Sequence, residues 1–132
     1  MAHTVTVRPL LAGTARSIYL IGLVSDGVSG ELSNEILITP AMLGLTTKAR
    51  LAIEGIEYNF ADFDAQLLFD TGVTEKSLAW TLHSQLSMND FNPYGGIKDQ
   101  SGIDGNGNIL FSTNGFGSAG TSGTLIIKVR NG

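Results

Sequence analysis

Apolar residues in this chain recur at every second position, and almost nowhere with the 3.6-residue period of a helix. Val5 and Val7 alternate with Thr4, Thr6 and Arg8 until Pro9 ends the run or marks an edge. Leu78, Trp80, Leu82 and Leu86 alternate with Ala79, Thr81, His83 and Gln85, and Leu125, Ile127 and Val129 close the series. Period two sends successive side chains to opposite faces of a strand, so such a chain must fold as sheets with a covered face. Residues 17–24 are apolar at both parities, as a central or interface strand would be.

The alternation changes phase once within a strand. Leu51 and Ile53 share one parity, whereas Ile56, Tyr58 and Phe60 share the other, with Gly55 at the break. One extra residue there returns all five to one face, so a β-bulge is expected at Gly55, with the glycine supplying unusual backbone angles. Further strands are expected at 35–39, 65–69, 108–113 and 124–130, and residues 87–108 read as loop. The only helix candidate is one turn over residues 40–44, with Thr39 as cap and Gly44 as stop. About eight short strands separated by turn signals predict an all-β fold, an antiparallel β-sandwich or jelly roll with at most one short helical turn. The phase break and the long final loops argue against a simple up-and-down barrel. At 132 residues, with no linker or repeat, the chain reads as a single all-β domain over 1–132.

Composition narrows the function classes. Without cysteine there is no disulfide, no thiolate chemistry and no cysteine-ligated metal. The net charge is −4, and the eight basic residues are scattered from Arg8 to Arg130, so no basic stripe exists to bind nucleic acid. The longest apolar stretch, residues 18–24, is far short of a membrane span. No cationic segment followed by a long apolar run opens the chain, so synthesis and retention in the cytoplasm are expected. Few charges leave a surface of Gly, Ser, Thr, Asn and apolar groups, which suits extensive protein contacts.

No catalytic constellation stands out. His3 lies near the terminus, and His83 has only Ser87 and Asp90 to offer as partners, with no sharp nucleophile turn. Glu54, Glu57, Asp62 and Asp64 crowd one region, but alternating acids in a strand ordinarily mark a solvated face. Asp104, Asn106 and Asn108 open like a calcium loop, yet Ile109 stands where its glycine belongs and Gly115 where its glutamate belongs. Gly115-Phe-Gly-Ser-Ala-Gly precedes a strand rather than the helix that a phosphate loop needs. No metal, cofactor or catalytic residue is therefore expected. Strand aromatics such as Tyr19, Tyr58, Phe60, Phe63, Phe69, Trp80 and Phe111 are expected in the core. Phe91, Tyr94 and Phe116 fall in loops, where an aromatic more often meets a partner, and they are the candidate contacts.

The second half carries a recognisable order of features. A strand containing Trp80-Thr-Leu leads to Asp90-Phe-Asn-Pro-Tyr-Gly-Gly-Ile97, then Gly107-Asn-Ile-Leu-Phe-Ser-Thr-Asn-Gly115, a Gly/Ser turn, and Gly123-Thr-Leu-Ile-Ile-Lys-Val-Arg130. With the opening Thr4-Val-Thr-Val and the Leu23-Val-Ser-Asp-Gly27 turn, this layout resembles the capsid cement, or decoration, proteins of tailed bacteriophages. The resemblance implies a non-enzymatic jelly roll on the outside of the virion capsid, made in the host bacterial cytoplasm. It implies two partners: the major capsid protein, whose neighbouring subunits it would bridge, and itself, as homodimer or homotrimer. The acidic stretch from Asp99 to Asp104 departs from that layout. Two alternatives share the composition: a phage tail or baseplate protein, and a carbohydrate-binding β-sandwich using loop aromatics.

Overall fold

The computed structural model describes residues 4–11, 13, 16–25, 32–45, 49–61, 63–72, 76–82, 85–91, 96–99, 105–114, 116 and 121–131. Among these the chain is almost wholly strand. The strands are β1 (Thr4–Leu11), β2 (Arg16–Val24), β3 (Glu35–Ile38), β4 (Leu51–Ala61), β5 (Asp64–Phe69), β6 (Ser77–Leu82), β7 (Gln85–Asp90), β8 (Ile97–Lys98), β9 (Ile109–Asn114) and β10 (Ser122–Asn131). The one helical element is a 3-10 turn, Pro40–Leu43. It ends as the sequence predicts: Gly44 takes φ 75°, and its N–H donates to the Ala41 carbonyl.

Two antiparallel sheets form. The larger runs β1-β2-β10-β4-β7, with β8 pairing the same edge of β4 that β7 uses, and the smaller runs β3-β9-β5-β6. The pairing is nested: β2 with β10, β3 with β9, β4 with β7 and β5 with β6. The chain thus pairs like one long hairpin, rolled until β10 also meets β4 and β9 also meets β5. That is the jelly-roll arrangement.

Period two generates the core directly. The inward set of β2 (Ser17, Tyr19, Ile21, Leu23) and of β10 (Leu125, Ile127, Val129) is fully buried. From the facing sheet come Leu67, Phe69, Ile109 and Phe111. The Tyr19 hydroxyl donates to the Met42 carbonyl at 3.3 Å, which ties the 3-10 turn to the sandwich. Buried Ser17 closes the β1–β2 connection, its hydroxyl donating to the Gly13 carbonyl and accepting from the Gly13 N–H.

The phase break in β4 is a bulge, one residue away from the glycine. Lys128 stands opposite Gly55 and Val129 opposite Ile53, so Glu54 is the inserted residue. Leu51, Ile53, Ile56, Tyr58 and Phe60 all reach the core in consequence. Gly55 is not among the residues with positive φ, so the expectation of unusual angles there is corrected. The bulge turns on Glu54 instead. Its carbonyl accepts the Phe91 N–H at 2.8 Å, between the stretches of β4 covered by β7 and by β8.

A different glycine is sterically required. A Cβ on Gly123 would lie 2.6 Å from the Phe60 ring and 3.2 Å from that of Phe63, two rings stacked at 4.5 Å. Gly123→Ala is expected to lower stability by about 1–3 kcal/mol through overpacking. Denaturant titration would show it, and an unchanged midpoint would mean that the stacked pair shifts freely.

Candidate functional site

The residues that sequence reasoning put forward for chemistry are not brought together. Glu54 is buried, its side chain 6% exposed, and its Oε1 accepts from Arg16 Nε at 2.9 Å across β10. It does not belong to a solvated face, because the bulge turns it. Glu57 is exposed on the larger sheet, whereas Asp64 begins β5 in the smaller one. Asp62, His3, His83 and Asp104 lie outside the described residues, and Ser87 and Asp90 are placed in β7 by their backbone pairing.

The calcium-loop candidates have another role. Asn106 Nδ2 donates to Asp70 Oδ2 at 3.1 Å, and Asn108 Nδ2 approaches the same oxygen at 3.5 Å. Gly72 N–H (2.9 Å) and Lys76 Nζ (3.0 Å) donate to Asp70 Oδ1. The backbone joins in, Asp70 N–H donating to the Asn108 carbonyl and Asn106 N–H to that of Asp70. Asp70 is therefore a buried knot between the β5–β6 turn and the approach to β9. Burial alone would raise its pKa, but the bonds from Gly72, Asn106 and Lys76 together with the Lys76 charge overcome it and lower it to about 2.

The loop aromatics are also reassigned. Phe91 is 7% exposed and meets the Trp80 ring edge-on at 4.8 Å. Phe116 is 0% exposed, packs on Phe63 at 4.8 Å, and has its carbonyl held by the Thr121 hydroxyl. Both rings belong to the core, so neither is presented to a partner as expected; a loop residue folded under the sheets is internal whatever its sequence context. Tyr94 lies outside the described residues. Trp80, expected inside, remains 39% exposed, because β6 is the outermost strand of its sheet.

One stretch of apolar surface lies on the smaller sheet. Ile36 stands opposite Leu110, Leu110 opposite Leu68, and Leu68 opposite Leu78, which makes one aliphatic row across all four strands of the smaller sheet. Their chain neighbours Leu67, Phe69, Ile109 and Phe111 belong to the core, so this row occupies the outer face. Ile36 and Leu78 at its ends are 53% and 54% exposed, Leu68 is half-buried, and Leu110 is 2% exposed. Leu110 being buried, the apolar groups the row exposes are Ile36 at one end and Leu78 with half-buried Leu68 at the other, all on one face. Apolar groups gathered on one face are the kind of surface that meets a partner. Beside it runs an uncharged polar row, Ser112, Gln66 and Thr81. Asn34 (φ 51°) is pinned to that row, its N–H donating to the Ser112 hydroxyl at 2.8 Å.

The face offers a flat contact rather than a cleft. A depression between Asp64, Gln66, Thr81, Ser112 and Asn114 holds about 260 Å³, below the roughly 300–1,000 Å³ of small-molecule sites. The sequence signal for the row was consecutive apolar residues: Ile36-Leu37-Ile38, Leu67-Leu68 and Ile109-Leu110 place apolar groups on both faces of their strands. Comparison with family models, with curated proteins and with solved structures found no match.

Proposed function

We propose that this chain is a non-enzymatic structural protein of a tailed-phage virion. It binds the outside of the assembled capsid and bridges neighbouring major capsid protein subunits through the outer face of its smaller sheet. The aliphatic row Ile36–Leu110–Leu68–Leu78 carries the reading, as an uncharged row able to dock on another protein. The order of features from Trp80 to Arg130 and the jelly-roll topology support it. So does the engagement of three of the candidate groups, Glu54, Asn106 and Asn108, in contacts within the fold.

The mechanism is stoichiometric. A bridging site exists only where two capsomers meet, so the protein binds assembled shells and stabilises them by mass action. A specific contact buries on the order of 800 Å² per partner. Because the row bears no charge, moderate salt should weaken binding only slightly.

The test mixes purified protein with shells that lack it, followed by sedimentation and heat challenge. Co-sedimentation and a raised disruption temperature are expected. The double variant Ile36→Glu/Leu78→Glu should bind at least about tenfold more weakly with an unchanged melting curve, since both positions are exposed and two charges would be desolvated in the contact. If the parent protein neither sediments with shells nor protects them, the capsid reading falls. Equal binding by the double variant would move the contact off this face.

A further inference from the structure

The larger sheet contains one strand more than the nested pairing requires. Strands β2, β4, β7 and β10 each adjoin in sequence a strand of the smaller sheet, whereas β1 adjoins and pairs only β2. Its inward residues show the overhang. Val5 and Val7 are half-buried, although Leu23 and Ile21, which they face on β2, are 1% and 0% exposed. Among the described residues nothing pairs the outer edge of β1, which leaves a row of backbone donors and acceptors open.

The other edges are interrupted. Strand β3 has four residues and a register shift at Leu37. Strand β6 has a register shift at Ala79. The far edge of the larger sheet is divided between β7 and β8. By contrast, β1 keeps unbroken register from Thr4 to Pro9 before its own shift.

We infer that β1 is a self-association edge, on which a second copy of this chain pairs antiparallel about a twofold axis through Thr6. The parity of the strand selects that centre. Partners across a sheet must share a face, so the axis has to pass through a residue rather than between two. An axis at Val7 would draw Pro9, which has no N–H to donate, into the pairing. An axis at Thr6 pairs residues 4–8 of each copy and stops short of Pro9. Thr6 then faces Thr6, Val5 faces Val7, and Arg8 faces Thr4, so the two arginines stay apart. Threonine pairs and β-branched pairs are favourable across strands, and the half-buried valines of both copies would cover one another. The larger sheet would run unbroken through the dimer, the contact being isologous.

Five residues a side is far fewer than the roughly 20–30 of a standard interface, so association should be concentration-dependent and weak. The inference is independent of the capsid reading, and the test needs no shells. Sedimentation of the full chain over a wide concentration range should show mass rising from one chain to two. Thr6→Lys, on the exposed outer face, should weaken the dimer at least tenfold by setting two cations opposite each other. Mixing Thr6→Lys with Thr6→Asp should restore it. Paired Cα atoms in antiparallel strands are about 4.5–5.5 Å apart, within disulfide reach, and the chain has no other cysteine. Oxidised Thr6→Cys should therefore give a covalent dimer. Thr124→Cys, also exposed but in the middle of the sheet, should not. The inference is overturned by a single-chain mass at every concentration, by a trimer, by a dimer that Thr6→Lys leaves intact, or by equal cross-linking at both positions.

Discussion

Replacing Phe116 with alanine is expected to destabilise the fold by about 3–5 kcal/mol, the range for a fully buried phenylalanine. Its ring is 0% exposed and joins a continuous aromatic chain, packing on Phe63 at 4.8 Å, which stacks on Phe60 at 4.5 Å; Phe60 lies 4.9 Å from Tyr58 and 6.3 Å from Phe111. Truncation leaves a cavity where β4, β9 and the approach to β10 converge, and the rigid sheets around it close poorly. Any binding per folded molecule should be unaffected, since the ring reaches no surface. Thermal and denaturant unfolding measure the first effect. A loss under about 1 kcal/mol would return Phe116 to the contact role that its loop position suggested.

Acid should weaken the fold through one carboxyl in particular. Asp70 titrates at about 2 in the folded protein, against 3.8 for an unperturbed carboxyl. The folded state therefore holds this proton less tightly than the unfolded chain does. The stabilisation is complete above pH 3.8, fades as pH falls toward 2, and is gone below that. At about 1.4 kcal/mol per unit the difference is about 2.5 kcal/mol. Since Asp70 Oδ1 and Oδ2 together receive Gly72, Lys76 and Asn106, Asp70→Asn should cost a similar amount at neutral pH. It should also flatten the decline of melting temperature between pH 4 and pH 2. If parent and variant declined in parallel across that window, the knot would contribute nothing.

The strands were legible because alternation reports burial directly. Strands β2, β3, β9 and β10 fall within two residues of their expected ends. The bulge was also visible, since five core residues of β4 cannot otherwise share a face. Which sheet a strand joins was not visible. Leu78, Trp80, Leu82 and Leu86 share one parity, broken only by Ser84, yet β6 pairs with β5 in one sheet and β7 with β4 in the other. Periodicity is blind to a crossing between layers. For the same reason the outer aliphatic row escaped notice, because its four members come from four strands and adjoin only after pairing. The fates of Phe91 and Phe116 were hidden too: whether a loop folds over a sheet end or away from it depends on contacts distant in sequence.

The nested pairing also governs the order in which the fold can close. Its innermost pair, β5 with β6, is joined through residues 70–76 alone, whereas its outermost, β2 with β10, sets Arg16 opposite Arg130, far apart in sequence. Closing a long loop costs entropy before its contacts return anything, so folding should begin at the β5–β6 hairpin and proceed outward. Strand β10, which lies between β2 and β4, is the last of these strands to be synthesised. Until it arrives, both neighbours expose core edges, and a ribosome-bound chain lacking residues 122–131 has no complete sandwich to form. Refolding on the millisecond-to-second scale of non-local β proteins follows, with aggregation as its main competitor.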